Sequence, residues 1–263
     1  MSSFCLKLIA TFAMTLDHIA MCIGQAGLLE IFPLLSLRES SLLIKSMWTL
    51  SRIAFPVFAF LLAEGATHTR NMPKYIKRIS LTAIISEPIY YFAFTPLDRT
   101  FEGFFSSILR LNFKNVFFTL AIGAFLIYCC QLAETKKSKQ TTIYTFTIVV
   151  FLSIAASFIN ANYGFMGILL IMAMYHLKGK SQKILFIIVW SLGIYIFGQA
   201  FTGFGFRWTQ VSSLSIAECV GSMSSILLIL FYNGNRGKPV KWSFYIYYPV
   251  HLILLITLRS IIL

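Results

Sequence analysis

The chain has 263 residues, of which 58% are hydrophobic and only 12% are charged, and its mean hydropathy is +0.79. No polar stretch is long enough to form a soluble domain, so the composition indicates an integral membrane protein. The net charge of +13 does not point to nucleic acid, because the basic residues stand in short clusters between apolar runs.

Apolar runs long enough to cross a bilayer recur from one end of the chain to the other. We predict an all-α, polytopic membrane protein that forms a single domain over residues 1–263. The first run has a charged pair in its middle and no small-residue cleavage site, so we expect it to be retained. The nine predicted spans are 5–25, 47–65, 79–95, 113–132, 142–159, 163–177, 184–200, 211–232 and 243–260.

Clusters of Lys and Arg separate several of these spans and predict the orientation of the chain. With nine spans and a cytoplasmic N-terminus, every cluster falls on the cytoplasmic side, as the positive-inside rule requires. Two longer connections, 27–46 and 96–112, then lie outside, and each is expected to be an interfacial amphipathic segment or a lid. The basic clusters are 70–78, 136–139, 178–183 and 236–241.

Ionisable residues at mid-membrane depth are functional candidates, because a charged side chain there costs roughly 2.5–3.5 kcal/mol on insertion scales. Asp17 and His18 lie near the middle of the first run, Glu87 lies in the third, and His251 lies in the last. Arg52 enters the second run at a similar level. In the structural alternative, these polar groups only hold the helices together.

Adjacent residues of a helix point about 100° apart, so Asp17 does not orient His18. We expect Asp17 to pair with Arg52, which leaves His18 with Glu87 or His251 as its partner. An imidazole in such a place can act as a general base or acid.

Lys7 precedes His18 by eleven residues, which is about three turns, and it shares the same helix face roughly 16 Å deeper. A cation at the cytoplasmic end and a mid-membrane His would line a groove that suits acyl-coenzyme A. For these basic residues the alternative is a role in topology alone. The candidates for binding the donor's phosphates are Lys7, His68, Arg70, Lys74 and Arg78.

The five cysteines have neither metal-ligand spacing nor the pattern of a disulfide framework, and we expect no metal. The sequence also lacks a Walker loop and a dinucleotide fingerprint, so chemistry driven by ATP or NAD is not expected.

Several blocks of the sequence match a known family. They include LKLIA at 6–10, MTLDH at 14–18 and RIAFPVFAFLLAEG at 52–65, with shorter matches at 68–78, 85–87, 115–120, 163–167, 232–234 and 244–252. Together they resemble the TraX family of bacterial inner-membrane proteins over nearly the whole chain. The resemblance implies a multi-pass protein of the inner membrane that N-acetylates pilin subunits, with acetyl-coenzyme A as the donor.

The spacing of Lys7 and His18 is also similar to a signature on the first helix of membrane acyltransferases that O-acylate surface glycans. This second resemblance implies that the His is the catalytic base and that the basic residue lies near the acyl donor. Many TraX relatives are expected to have an acidic residue where this chain has Asn162, which puts the acceptor in doubt. The candidate acceptor-binding residues are Glu64, Asn162, Tyr163, Tyr248 and His251.

We therefore expect an acyltransferase that moves an acetyl group from acyl-coenzyme A to a protein or glycan acceptor. His18 would take the proton from the attacking group and Arg52 would stabilise the developing charge, with Asp17 and Glu87 completing the catalytic set. One alternative is a proton-coupled small-molecule transporter or flippase, but the sequence lacks the internal repeat typical of such carriers. The other alternative is a non-catalytic pilus assembly factor.

Overall fold

A computed structural model describes residues 1–95, 100–136, 138–197, 213–238 and 242–263. These residues form helices and connections, without a strand, which confirms the all-α prediction for the described part of the chain. A π-helical segment, Gly193–Phe197, follows α9. The α-helices are α1 (Ser3–Ile31), α2 (Leu37–Ser51), α3 (Ala54–His68), α4 (Met72–Phe94), α5 (Phe101–Leu109), α6 (Val116–Lys136), α7 (Lys139–Phe158), α8 (Gly164–His176), α9 (Lys180–Leu192), α10 (Ser213–Met223), α11 (Ser225–Leu230) and α12 (Ser243–Ile262).

Five helical segments are long and apolar enough to cross a membrane, as judged by length and composition. They are Ser3–Ile31, Leu37–His68, Val116–Lys136, Lys139–Phe158 and Ser243–Ile262. The expectation of a helical membrane protein is therefore supported, while the count of nine spans and the cytoplasmic N-terminus stay predictions. The predicted spans 184–200 and 211–232 extend into residues outside the described ranges.

The first predicted connection, 27–46, is largely helical. α1 continues to Ile31 and α2 already begins at Leu37. The Ser36 hydroxyl accepts a hydrogen bond from the Glu39 N–H at 3.2 Å, and the Glu39 carboxylate accepts one from the Ser36 N–H at 2.8 Å. This reciprocal capping box starts the helix inside a polar stretch, where hydrophobicity alone does not place one.

The second predicted connection, 96–112, contains the nine-residue helix α5. The Thr100 hydroxyl caps it by accepting a hydrogen bond from the Gly103 N–H at 3.0 Å. Phe101 and Phe105 on this helix are exposed, and such an apolar face fits the predicted interfacial segment. Residues 96–99 of this connection lie outside the described residues.

The helices pack into two compact units. The first unit consists of Met1–Phe58, Gly179–Phe244 and Val250–Leu263, and the second consists of Ala59–Lys178 and Tyr245–Pro249. Within the first unit, α2 packs against both α1 and α10, and α10 packs against α9. Within the second unit, α4, α7 and α8 pack against α6. The single domain over 1–263 stays a prediction.

A bend at Gly24 divides α1 into two parts. Gly24 has φ 65° and ψ −169°, a conformation that glycine adopts without the steric cost that a Cβ atom would bring. Ala20 before the bend and Leu28 after it both belong to a buried cluster with Ile44 of α2. The bend therefore lets both parts of α1 pack against one neighbouring helix.

Gly221 marks a close approach of α10 to α2. A Cβ atom at this position would overlap the backbone carbonyl oxygen of Thr49. We expect Gly221→Ala to destabilise the protein by about 1–3 kcal/mol, because overpacking against a backbone atom outweighs the gain in helix propensity of about 1 kcal/mol. Thermal unfolding in detergent measures the effect. Val220→Ala, at the exposed neighbouring position, is the control, and equal stability of the two variants would contradict the close approach.

Candidate functional site

Two buried histidines of the first unit form a hydrogen-bonded pair. His18 Nδ1 lies 2.7 Å from His251 Nε2, and the two rings are nearly parallel, with centroids 5.0 Å apart. His18 is 5% exposed and His251 is 4% exposed. One turn further along α1, the Cys22 thiol hydrogen-bonds to the Leu255 carbonyl, which lies one turn further along α12. Two hydrogen bonds one turn apart therefore join α1 to α12 at the histidine pair.

The hydrogen bond restricts how the two imidazoles hold their protons. One ring nitrogen of the pair donates and the other accepts. When His18 donates from Nδ1, its Nε2 carries the lone pair that a general base needs, and His251 sets the orientation of the ring. His251 is one of the two partners that the sequence predicts for His18, so this contact is confirmed, while its catalytic meaning stays a prediction.

Arg52 lies between two carboxylates in the same unit. Its Nε and Nη2 atoms are each 2.9 Å from Glu218 Oε1, and its Nη2 atom is 3.7 Å from Asp17 Oδ1. The Ser51 hydroxyl donates a hydrogen bond of 2.9 Å to the same Asp17 oxygen. The predicted contact between Asp17 and Arg52 is confirmed, but the shorter ion pair of Arg52 is with Glu218.

The connection between α2 and α3 and the packing of α10 against α2 determine where these charges lie. α2 ends at Ser51 and α3 begins at Ala54, so Arg52 lies in the short connection between them. Glu218 lies on α10, three residues before Gly221, where the α10 backbone comes close to Thr49 of α2. Two carboxylates then share one guanidinium, with 14–21% of each side chain exposed.

Glu218 is a residue that sequence reasoning missed. It is the one acidic residue of the predicted span 211–232, and the criterion that selected Asp17, an acid within an apolar run, would have selected it as well. Ser51 is a different case, because a serine at the end of an apolar helix carries no comparable signal.

Glu87 belongs to the second unit, where it is 7% exposed. Its carboxylate interacts with the backbone N–H groups of Lys114 and Asn115 and with the Asn115 side chain, at the start of α6. A carboxylate is stabilised at a helix N-terminus by the unpaired amides there. Its other oxygen, Oε2, is buried without a hydrogen-bond partner.

Glu87 and His251 are the two partners predicted for His18. Glu87 belongs to the second unit, so His251 is the one of the two that lies in the same unit as His18.

Asn115 links α4 and α6 near Glu87. Pro88 has no N–H to donate within α4 and disturbs the preceding turn. Near that turn, the Asn115 side chain donates a hydrogen bond of 2.9 Å to the Ala83 carbonyl. Its own carbonyl oxygen accepts one of 2.8 Å from the Phe117 N–H. Asn115 is fully buried, so both of its polar groups are used in place of water.

We expect Asn115→Ala to destabilise the protein by about 1–3 kcal/mol, because it leaves the Ala83 carbonyl and the Phe117 N–H without this partner. The apparent melting temperature in detergent measures the loss. Asn112→Ala is the matched control, since the Asn112 interactions in the structure come from its backbone. A variant at Asn115 as stable as this control would contradict the bridging role.

Four of the five predicted phosphate-binding residues lie in the second unit. His68, Arg70 and Lys74 are exposed where α3 ends and α4 begins. Arg78 is half-buried, with its Cζ atom 5.9 Å from the centre of the Tyr75 ring. The fifth, Lys7, belongs to the first unit. The side chains of the connecting segment thus face outward, where an anion can reach them.

The predicted acceptor-binding residues are Glu64, Asn162, Tyr163, Tyr248 and His251. The Asn162 carbonyl accepts a hydrogen bond from the Thr119 hydroxyl, and Tyr163 has the left-handed φ of 63° at the start of α8. Tyr248 is buried, with its ring centroid 4.6 Å from that of Phe117, and Glu64 is half-buried. All of these belong to the second unit except His251, so their common role stays a prediction.

Among the residues that the structure describes, no group of three or more His, Cys, Asp or Glu side chains is arranged to hold a metal ion.

Comparison with known proteins identifies the family. The model for "TraX protein" matches residues 2–259. A relative from Dichelobacter nodosus, the probable fimbrial assembly protein FimC of serogroup H1, is 28% identical over 265 residues, which cover 97% of this chain and 94% of the relative. No solved structure matches the chain significantly. The chain belongs to the TraX family.

Proposed function

We propose that this protein is a membrane-embedded acyltransferase that moves an acetyl group from acyl-coenzyme A to an acceptor used in pilus or fimbrial assembly. The observation that carries the proposal is the buried, hydrogen-bonded pair of His18 and His251. A general base next to an orienting group is an arrangement that activates an amine or a hydroxyl for attack on an acyl group.

In the proposed reaction, His18 removes a proton from the acceptor as its nitrogen or oxygen attacks the thioester carbonyl carbon. The new bond to the acetyl carbon forms, the carbon–sulfur bond breaks, and the coenzyme A sulfur leaves as a thiolate that takes the proton from His18. Arg52, which Glu218 and Asp17 hold in place, donates a hydrogen bond to the carbonyl oxygen as negative charge develops there.

The remaining predicted residues would bind the two substrates. Donor phosphates would lie against the basic residues at the predicted cytoplasmic ends. The acceptor would approach the predicted acceptor-binding residues, which are Glu64, Asn162, Tyr163, Tyr248 and His251. This division requires the predicted orientation in the bacterial inner membrane, with the N-terminus in the cytoplasm. The residues proposed to bind the donor are Lys7, His68, Arg70, Lys74 and Arg78.

The choice of acceptor rests on the relative from Dichelobacter nodosus, which is named a probable fimbrial assembly protein. An acceptor in that process would be a pilin N-terminal amine or an envelope glycan or lipid. The same name supports a second candidate, a non-catalytic assembly factor. In that case the buried pairs of His18 with His251 and of Arg52 with Glu218 serve only to hold helices together.

Label transfer tests the proposal. Vesicles that contain the purified protein are incubated with acetyl-coenzyme A labelled in the acetyl group, together with pilin or envelope extract, and the label is followed into protein, glycan and lipid fractions. Acyl transfer predicts label in one fraction above that of protein-free vesicles. The assembly-factor candidate predicts no label above this background from a folded protein.

A further inference from the structure

The loop after α11 is tied to the beginning of α1. The Asn235 carbonyl accepts a hydrogen bond of 2.8 Å from the Ser3 N–H, and the Arg236 carbonyl accepts one of 3.2 Å from the Phe4 N–H. The Ser3 hydroxyl also donates to the Arg236 carbonyl, at 2.8 Å. These bonds hold Arg236 at the first turn of a 29-residue helix, where the helix dipole already contributes positive charge.

Arg236 brings a second cation next to Lys7. Lys7 follows Phe4 by one turn of α1, and it lies close enough to Arg236 for their positive charges to repel. The Lys7 side chain is half-buried, with Nζ 6.0 Å from the centre of the Phe244 ring. A third cation, Lys180, donates a hydrogen bond of 3.2 Å to the Tyr232 carbonyl of the same loop. Positive charges are thus gathered at one end of the unit.

No acidic side chain of this unit balances them. The unit contains four acidic residues, Asp17, Glu30, Glu39 and Glu218. Asp17 and Glu218 pair with Arg52, and Glu39 caps α2. Glu30 follows Lys7 by 23 residues of α1 and lies beyond the bend at Gly24. The ion pairs found in the described part of the chain involve neither Lys7 nor Arg236.

We infer that Lys7 and Arg236 form a binding site for a phosphate group at the N-terminal end of α1. Two neighbouring cations without a carboxylate repel each other, and an anion between them removes that repulsion. The guanidinium of Arg236 matches the geometry of phosphate oxygens, and the Lys7 ammonium adds a point charge. Arg236 has no role in the acyl-transfer proposal so far, and the backbone bonds to Ser3 and Phe4 fix its position.

The phosphate can belong to coenzyme A or to an anionic phospholipid headgroup. The first source deepens the proposed function and rests on it, because the site would then hold the donor at the predicted cytoplasmic end of the groove below His18. The second source does not require acyl transfer. In both cases one arginine and one lysine bind a phosphate.

Binding measurements distinguish the two sources. The protein in phosphatidylcholine nanodiscs is titrated with coenzyme A. In a separate measurement, native mass spectrometry determines how much phosphatidylglycerol the protein retains. We expect Arg236→Gln and Lys7→Gln each to weaken the binding of one of these two ligands by about tenfold or more. Arg236→Lys keeps the charge and should recover part of the loss. Lys139→Gln, which removes an exposed cation from the start of α7, is the matched control.

If the variants bind only coenzyme A more weakly, the phosphate is that of the acyl donor. If they bind only phosphatidylglycerol more weakly, the phosphate is that of the lipid headgroup. The inference is overturned if the folded wild type binds neither ligand, or if Arg236→Gln binds both as tightly as Lys139→Gln does. Failure of acyl transfer appears separately, as a lack of label transfer by a protein that still binds the phosphate ligand.

Discussion

We expect His18→Ala to lower the rate of acetyl transfer by about 10²–10⁴-fold, which is the usual contribution of a general base. The reason is the position of the imidazole, which is buried, hydrogen-bonded to His251 and placed at mid-membrane depth by the sequence. Initial rates of label transfer measure the effect, at equal amounts of folded protein. His176→Ala, a change at the end of α8 in the other unit, is the matched control.

His251 provides a second variant that separates catalysis from packing. If His251 orients His18, the rate of the double variant His18→Ala/His251→Ala equals that of His18→Ala alone, because residues that act as one unit are not additive. A rate for His18→Ala within twofold of His176→Ala would contradict the assignment of the base. An equal loss of folded protein in both single variants would favour the assembly-factor candidate.

We expect Arg52→Ala to destabilise the protein by about 3 kcal/mol, since it leaves the carboxylates of Asp17 and Glu218 without their shared cation in a half-buried position. The apparent melting temperature in detergent should fall by roughly 6–12 °C. The geometry also ranks the partners, because Glu218 lies 2.9 Å from the guanidinium and Asp17 lies 3.7 Å from it.

Double-mutant cycles check this ranking. In the Arg52→Ala variant the carboxylates of Glu218 and Asp17 are a surplus of negative charge. Adding Glu218→Gln to that variant should restore more stability than adding Asp17→Asn. Arg38→Ala, a change of another arginine in the same helical segment as Arg52, is the control for the loss of one positive charge. Fully additive effects of Arg52→Ala and Glu218→Gln would show that the two residues are not coupled, which would contradict the charge cluster.

Depth along apolar runs predicted the contact of Asp17 with Arg52, and it named His251 as one of two candidate partners of His18. The rise of a helix is constant, so the depth of a residue can be estimated from the end of its span, which puts His251 at a level similar to that of His18 and Arg52 slightly to the outer side of Asp17. Both pairs are in contact in the first unit. The same reasoning cannot choose among residues at one level, which is why Glu87 remained a candidate partner of His18.

Helix boundaries and bends were less predictable than depth. The start of α2 depends on the capping box of Ser36 and Glu39, a local hydrogen-bond pattern that a hydrophobicity profile does not register. The bend at Gly24 depends on a single backbone conformation. The capping box sets where a helix starts and the bend changes a helix's direction, and neither alters the apolar composition.

Contacts made by loops and uncharged side chains could not be predicted at all. Asn115 reaches the Ala83 carbonyl from 32 residues away, and Arg236 is held by residues at the other end of the sequence. Such contacts depend on which helices become neighbours. A single sequence shows which faces of the helices are apolar, but it does not show which helices become neighbours.

The most direct test of acyl transfer with His18 as the base is the release of free coenzyme A from acetyl-coenzyme A by the purified protein in vesicles, with the wild type beside His18→Ala. We expect the wild type to release coenzyme A in step with acetylation of an acceptor. We expect His18→Ala to lose this release while its yield of folded protein is unchanged. A folded wild type that neither binds acetyl-coenzyme A nor releases coenzyme A when acceptor extract is present would contradict it.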